Sequence, residues 1–295
     1  MKKTLAAVAT QFLERPGLAK STCLSYELTL LPLLEQYGSW SIEIIDREIL
    51  EDYLKGLHHL SYTTHRRHQA ILQALFNFAV LQGDITANPI ARLPQRKPNP
   101  EKGEHQSDQI RYLTHEQLKE LYQAIRKDTR MNALIRLLHR SGARISEVLA
   151  LDYDALDHQD RKFQVIGKGN KTRWCFYGED AAEALETYCR FHRHHEHPAL
   201  FTSTHRFSAK ITRMSYATAY QHWIKLTHPI ASLKGSRLHD LRHTFATERV
   251  GLMGIEELRA LMGHENIQTT LRYQKVTSSR AESVAHSALE TLLRS

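Results

Sequence analysis

The chain has 295 residues, of which 41% are hydrophobic and 24% are charged, and its net charge is +8 at neutral pH. This length accommodates two domains with packed cores. Residues 113–295 hold 27 lysines and arginines against 20 acidic residues, whereas residues 1–112 are nearly neutral. The excess positive charge favours a polyanionic partner, although a basic soluble protein without one fits the charge equally well.

Several classes of protein are excluded. Cys23, Cys175 and Cys189 are scattered, so they form neither a metal-binding spacing nor a disulfide framework, and they indicate a reducing compartment. The N-terminal run "LAAVA" is too short for a secretory signal and is followed by Glu14 and Arg15. No segment approaches the roughly 20 apolar residues of a membrane span. We therefore expect a soluble cytoplasmic protein without membrane association.

Residues 1–95 are predicted to be helical throughout. One helix opens with Ser21 or Thr22 as its N-cap, carries leucines near helical spacing and ends at Gly38. Two more helices are predicted over residues 46–57 and 61–82, and Gly83 ends the second. No alternating apolar pattern here predicts a strand.

A linker separates this region from a second domain. Residues 93–108 contain three prolines, a glycine and many charges, which is linker composition, and we place the linker at 96–112. A capping box of Thr114 and Gln117 opens the second domain, 113–295. Gly142 ends a helix there, and the β-prone runs "KFQVIG" and "TRWCFYG" flank the turn "KGNK", which predicts an antiparallel hairpin. The pattern then returns to helices, the last being amphipathic over residues 283–293.

Four blocks of the second domain contain residues suited to phosphodiester chemistry. Arginine binds an anionic phosphate well because its planar fork donates two parallel hydrogen bonds and keeps its proton. A tyrosine hydroxyl, with a free pKa of about 10, is a weak nucleophile that needs a base or cationic surroundings. Each residue taken singly has an ordinary structural explanation, and only their joint occurrence indicates a site. The blocks are "GARISE" with Arg144, "GKGNK" with Lys168, "HDLRHTFAT" with His239 and Arg242, and Gly263-His264 followed nine residues later by Tyr273.

In these four blocks the chain resembles the tyrosine recombinases of the phage-integrase and Xer type, and the likeness spans essentially the whole length. The resemblance implies a mainly α fold of two domains. Residues 1–95 would form an all-helical, SAM-like core-binding domain, and residues 113–295 an α-rich catalytic domain with a small antiparallel β-sheet. It also implies a site-specific DNA recombinase that forms a covalent 3′-phosphotyrosine intermediate and uses neither metal, cofactor nor ATP.

The resemblance assigns roles in strand cleavage. Tyr273 would attack the scissile phosphate, His239 would assist proton transfer at the tyrosine, and Lys168 would protonate the departing 5′-hydroxyl.

The phosphate itself would be bound by three further residues. Arg144, Arg242 and His264 would hold the non-bridging oxygens. Glu147 lies three residues after Arg144, so it would either orient an arginine or histidine, or merely pair with Arg144 on a helix surface.

DNA contacts are expected in both domains. Hydroxyl and guanidinium groups at a helix start suit phosphate contacts and groove readout, although an ordinary polar face remains an alternative. The partner would be double-stranded DNA with a specific recombination site. The expected contacts are Thr63, Thr64, His65, Arg66 and Arg67 in the first domain, and Lys171 and Arg173 beside the hairpin turn.

The resemblance further implies a homo-oligomer, a tetramer on two DNA sites in which the C-terminal helix packs on a neighbouring subunit. The alternative is a helix that folds back onto its own domain. Such an enzyme would be associated with the nucleoid.

Other readings stay open. "FHRHHEH" at residues 191–197 offers either transition-metal ligands or a solvated basic patch. A type IB topoisomerase or resolvase would share the chemistry, a non-catalytic DNA-binding relative would share the fold, and a metal-dependent nuclease would need an acidic cluster that the sequence lacks.

Overall fold

A computed structural model of the chain describes residues 3–102, 110–167, 171–204, 208–274 and 293. The chain divides into two compact units, Met1–Gln109 and Ile110–Ser295. Both are mainly helical, and the second unit also contains small antiparallel sheets. The predicted fold class is confirmed.

The first unit is built from helices, and no strand occurs within its described residues, 3–102. Thr4, Asp46 and Ser61 cap three of the helices by accepting a hydrogen bond from a backbone N–H of the first turn. The core packs Phe12, Leu30 and other apolar side chains between these helices. The helices are α1 (Leu5–Glu14), α2 (Lys20–Tyr37), α3 (Arg47–Gly56) and α4 (Tyr62–Leu81).

Helix α2 differs from its prediction in two respects. It begins at Lys20 after Ala19, which provides no side-chain cap, instead of being capped by Ser21 or Thr22. The regularly spaced Leu24 and Leu28 are 56% and 62% exposed, whereas Leu30 is fully buried. Because α2 carries leucines on more than one face, their spacing alone did not identify the buried one.

The second unit contains the remaining helices and two small antiparallel sheets. Strand β2 pairs with β1 on one side and with β3 on the other, so that Gln164 lies opposite Trp174. The elements are α5 (His115–Ala124), α6 (Thr129–Ser141), α7 (Ile145–Ala150), β1 (Leu156–Asp157), β2 (Lys162–Ile166), β3 (Thr172–Phe176), α8 (Glu179–Phe191), β4 (Thr202–Thr204), β5 (Ile211–Arg213), α9 (Tyr216–Thr227), α10 (Asp240–Arg249), α11 (Ile255–Met262) and α12 (Ile267–Gln274).

Helix α6 is central to this unit. It packs against α8 on one side and α10 on another, and its apolar residues join a core that also contains the fully buried Trp223. The predicted capping box of Thr114 and Gln117 is present at the start of α5. Gly142 ends α6 in the left-handed conformation, with φ +63°, and a Cβ there would lie 2.4 Å from the Phe245 ring. This glycine therefore permits the close approach of α10 to the end of α6.

Two predicted features lie outside the described residues. These are the turn residue Lys168 and, apart from Leu293, the amphipathic C-terminal helix over 283–293.

Candidate active site

Five of the six candidate catalytic residues lie in described parts of the second unit, at the ends of its elements. Arg144 precedes α7, His239 and Arg242 lie at the start of α10, His264 follows α11, and Tyr273 lies in α12. These elements converge because α10 packs against α6, α11 and α12, and α11 also packs against β3.

Arg242 holds two of these element ends together. Arg242 is only 3% exposed, and its guanidinium donates one hydrogen bond to the Gly142 carbonyl at 2.5 Å and another to the Met262 carbonyl. Burial, together with Arg144 and Arg173 nearby, lowers the pKa of Arg242 to about 10, so the side chain stays charged at neutral pH. A guanidinium has five N–H donors, so donors remain for a phosphate oxygen.

Glu147 is the negative charge among these arginines. Its carboxylate accepts hydrogen bonds from Arg144 Nη1 at 2.8 Å and from the Arg144 backbone N–H at 2.7 Å. It also accepts two parallel hydrogen bonds from Arg173, at 2.9 and 2.7 Å. Burial raises the pKa of Glu147, but the hydrogen bonds and charges of Arg173 and Arg144 outweigh this effect and lower it to about 2. Glu147 therefore bonds to two arginines, Arg144 within its own helix start and Arg173 on β3.

The Arg144 backbone N–H is thus satisfied by Glu147. This N–H is therefore not free to bind an anionic ligand, since the six-residue α7 supplies its own carboxylate. The side chain of Arg144 is 36% exposed. Among Arg144, Arg173 and Arg242, it is therefore Arg144 whose guanidinium is most accessible to a ligand.

Arg173 corrects a prediction. It was expected to contact DNA, but its side chain is only 10% exposed. All three of its guanidinium nitrogens donate hydrogen bonds within the protein, two to Glu147 and Nε to the Leu261 carbonyl at 2.9 Å. It therefore joins strand β3 to α7 and α11.

His264 lies on a tight turn beside these groups. Gly263 ends α11 with φ +60°, and a Cβ there would meet the Arg173 side chain at 2.9 Å. The His264 ring bonds through Nδ1 to the Thr270 hydroxyl at 2.9 Å. Burial, followed by Arg242 and Arg144, lowers the pKa of His264 to about 3. The ring is therefore neutral, and when the Thr270 hydroxyl donates to Nδ1 the ring proton lies on Nε2, where it can be donated to a ligand.

Tyr273 is almost fully buried, at 3% exposure. Its ring is parallel to that of His264, with centroids 6.4 Å apart. Its hydroxyl is 2.8 Å from Nδ1 of His243, a residue that the sequence interpretation passed over. Burial raises the pKa of the phenol, and the charges of Arg242 and other arginines oppose only part of that effect.

His239, the predicted base, lies beside His243. The two rings meet edge to face with centroids 4.7 Å apart. Burial and the neighbouring Arg242 lower the pKa of His239. In the described residues the hydrogen-bond partner of the Tyr273 hydroxyl is His243 and not His239.

The gathering of cationic donors around a tyrosine and neutral histidines suits attack on a phosphodiester. A model of the phage integrase family matches residues 111–280, more than half of the chain. The chain belongs to the phage integrase family. As predicted, this family member is a tyrosine recombinase, a site-specific DNA recombination enzyme.

Known relatives support this assignment. The recombinase is 28% identical over 243 residues to tyrosine recombinase XerC of Staphylococcus haemolyticus, covering 79% of this chain and 78% of the relative. It is 27% identical over 287 residues to tyrosine recombinase XerD of Vibrio vulnificus, covering 91% and 89%. Its fold is similar to that of the Tn1549 transposon integrase in complex with transposon right end DNA, with a TM-score of 0.76, 20% identity, and coverage of 96% and 99%.

The predicted DNA-contacting residues of the recombinase differ in their exposure. Thr63, Thr64, Arg66 and Arg67 are exposed on the first turns of α4, and Lys171 is exposed before β3. Arg67 also donates a hydrogen bond to the Ser25 carbonyl at 3.2 Å.

His65 is a further correction. It is 3% exposed, and its Nε2 bonds to the Leu54 carbonyl at 3.0 Å. The prediction that its side chain faces DNA is therefore wrong, because the ring faces the interior of the first unit.

The histidine-rich run 191–197 does not lie on one helical face, because α8 ends at Phe191. His192 Nδ1 bonds to the Thr129 hydroxyl at 2.9 Å, and His197 Nδ1 accepts from the Ala199 N–H at 3.1 Å. Across the described part of the chain, no three His, Cys, Asp or Glu side chains are grouped to hold a metal ion. None of the helices in that same part combines the length and apolarity that a membrane crossing needs.

Sequence reasoning missed two polar residues of the site, His243 and Thr270. A usable signal existed for His243, since it lies four residues after His239, and residues at that spacing share one face of a helix. Thr270 carried no distinguishing pattern.

Proposed function

We propose that the recombinase cleaves and rejoins double-stranded DNA at a specific recombination site through a covalent 3′-phosphotyrosine on Tyr273. The observation that carries this proposal is the position of the Tyr273 ring. It lies against His264 and His243, within the electrostatic reach of Arg242 and Arg144.

The cationic groups would bind the scissile phosphate and stabilise its transition state. Arg144 offers a partly exposed guanidinium that Glu147 holds in place, and Arg242 has donors beyond those bonded to carbonyls. The neutral His264 adds a hydrogen bond from Nε2. Such preorganised donors are worth roughly 3–4 kcal/mol each when aimed at developing charge.

Cleavage would proceed by in-line displacement. The Tyr273 oxygen attacks phosphorus, the bond from phosphorus to the 5′ oxygen breaks, and Lys168 protonates the departing 5′-hydroxyl. His239, one helical turn from His243, assists proton transfer at the tyrosine. Because the phosphotyrosyl ester conserves the energy of the phosphodiester, attack by the 5′-hydroxyl of another duplex rejoins the strand without ATP.

Binding of DNA would involve both units. In the first unit, the start of α4 borders an open cavity of about 460 Å³ whose lining includes Thr63, Arg66 and Arg67. Exposed guanidinium and hydroxyl groups there suit phosphate contacts. Lys171 would contribute from the second unit. Exchange between duplexes would use a homotetramer on two DNA sites with C-terminal helix exchange, acting in the cytoplasm at the nucleoid.

The nucleophile is tested with Tyr273→Phe. A suicide substrate carrying the target site is incubated with the wild type and with the variant, and covalent protein–DNA adducts are separated on a denaturing gel. We expect Tyr273→Phe to bind the DNA normally but form no adduct, whereas Tyr220→Phe, which alters an exposed tyrosine of α9, should form the wild-type amount. A surviving adduct in Tyr273→Phe would refute the assignment.

A further inference from the structure

The hydroxyl of Tyr273 is bonded to a residue that has no assigned role. His243 lies in α10, directly after Arg242, and its Nδ1 is 2.8 Å from the phenol oxygen. The two ring centroids are 5.8 Å apart. In the described residues this is the hydrogen bond that fixes the orientation of the phenol, and it joins residues 30 positions apart in the chain.

The direction of this hydrogen bond follows from the charge of its surroundings. The groups that face His243 are His239 and Arg242 at the start of α10, Arg237 just before that helix, Arg272 from α12, and His264 from the turn after α11. Burial, followed by His239, Arg237, Arg242 and Arg272, lowers the pKa of His243 to about 4, so the imidazole is neutral at pH 7. The pKa of the buried phenol is raised, so it keeps its proton and needs an acceptor, which a neutral Nδ1 provides.

We propose that His243, and not His239, is the catalytic residue that directly accepts the phenol proton as Tyr273 attacks phosphorus. His239 assists this transfer through its edge-to-face contact with the His243 ring. This proposal rests on the proposed function of Tyr273 as the nucleophile. As the bond between the tyrosine oxygen and phosphorus forms, the O–H bond breaks and its proton moves to Nδ1. The bond to the 5′ oxygen breaks at the same time, and that oxygen takes its proton from the general acid. In the rejoining step His243 returns the proton to the departing tyrosine oxygen.

Binding of the substrate makes His243 a better base. The scissile phosphate adds negative charge among the same arginines that disfavour the imidazolium, and the transition state adds more. An added anion nearby raises the pKa of a histidine. The proton transfer is therefore favoured when phosphate occupies the site, and the phenol stays protonated when the site is vacant.

The experiment compares His243→Ala and His243→Asn with the wild type in single-turnover adduct formation on a suicide substrate between pH 6.5 and pH 9.5. Asparagine keeps an oxygen that accepts the phenol hydrogen bond but takes up no proton. We expect both variants to be slower by about 100-fold or more at pH 7, the usual worth of general base catalysis. The defect should shrink as the pH rises, because the phenol then ionises without a base. His228→Asn, at an exposed position after α9, should leave the rate unchanged.

A second substrate distinguishes a defect at the nucleophile from a defect at the leaving group. When sulfur replaces the bridging 5′ oxygen, the leaving group needs no protonation. This substrate should not restore the rate of His243→Ala, because the defect lies at the nucleophile. Circular dichroism and DNA binding show that each variant is folded.

Three results would overturn the proposal. They are a wild-type rate in His243→Asn, a defect that does not change with pH, and recovery on the sulfur substrate. An inert Tyr273→Phe combined with a fully active His243→Ala would leave the nucleophile assignment standing and remove His243 alone. An adduct in Tyr273→Phe would remove the proposed function itself.

Discussion

Glu147 is the residue whose replacement tests the architecture of the site most directly. Its side chain is 7% exposed and is paired with Arg144 and Arg173. We predict that Glu147→Gln lowers the free energy of unfolding of the second unit and slows adduct formation. The amide keeps the shape of the side chain but removes the charge, and it leaves the Arg173 guanidinium buried without its counter-ion.

The magnitude follows from the pKa of Glu147. A pKa lowered from 4.5 to about 2 corresponds to about 3 kcal/mol in favour of the ionised carboxylate. Removing one partner from a buried ion pair typically costs roughly 3–5 kcal/mol. The two values agree, so we expect Glu147→Gln to destabilise the second unit by about 3 kcal/mol.

The assay is urea unfolding followed by tryptophan fluorescence. Of the three tryptophans, Trp40 lies in the first unit and Trp174 and Trp223 lie in the second. In a Trp40→Phe background the signal therefore reports on the second unit alone, which matters because two units can unfold separately.

A matched control is the exposed pair of Arg161 and Glu179, whose side chains are 40% and 69% exposed. Glu179→Gln should lower the free energy of unfolding by no more than about 1 kcal/mol. In the double variant Glu147→Gln/Arg173→Gln the loss should be smaller than the sum of the two single losses, because the second replacement removes the uncompensated charge. Two results would contradict this account of the ion pair. One is a loss of unfolding free energy in Glu147→Gln as small as that in Glu179→Gln. The other is a loss in the double variant equal to the sum of the losses in Glu147→Gln and Arg173→Gln.

Two further predictions concern DNA binding and pH. Arg66→Gln should weaken DNA binding and reduce the slope of log affinity against log salt by about 1; an unchanged slope in salt titrations would place the start of α4 away from the DNA backbone. The pKa values of His243 and His264 are lowered from 6.5 to about 4 and about 3, so below pH 6.5 the unfolded chain binds protons that the folded chain does not. The free energy of unfolding therefore keeps its full value above pH 6.5 and falls as the pH drops toward 4. At pH 5 each histidine lowers it by up to about 2 kcal/mol. Urea unfolding at pH 7.5 and pH 5 measures this loss, and replacing both histidines by asparagine should remove most of it; an equal loss in that variant would contradict the cause.

Local signals in the sequence predicted the elements well where side chains cap them. Thr114 and Gln117 form the expected capping box, and Asp46 and Ser61 cap α3 and α4. Helix α2 shows the limit of periodicity. Leucines on more than one of its faces give several regular spacings, and only the packing of α1 and α4 against it decides which face is buried.

The burial of His65 and Arg173, two of the predicted DNA contacts, could have been predicted from sequence periodicity. Tyr62, His65, Gln69 and Leu72 recur every three or four residues and are all buried, so the helical period of α4 already placed His65 on the core side. On β3, alternation puts Arg173 on the same face as the buried Cys175, away from the exposed Trp174.

The motif blocks supplied the candidate site residues, but the contacts of these residues depend on tertiary structure. Arg242 bonds to the carbonyls of Gly142 and Met262, and the phenol of Tyr273 bonds to His243. No local pattern determines which backbone carbonyl or ring nitrogen another element presents. The predicted boundaries 1–95, 96–112 and 113–295, and the role of Lys168, stay predictions.

The long reach of these contacts along the chain has a consequence for synthesis. Arg242 bonds to a carbonyl 100 positions away, and Arg144 to one 119 positions away. Chains emerge from the ribosome N-terminus first and their domains fold in that order. A nascent polypeptide that stops before α12 lacks Tyr273. Under the proposed role of Tyr273, such an unfinished molecule would be unable to cleave DNA.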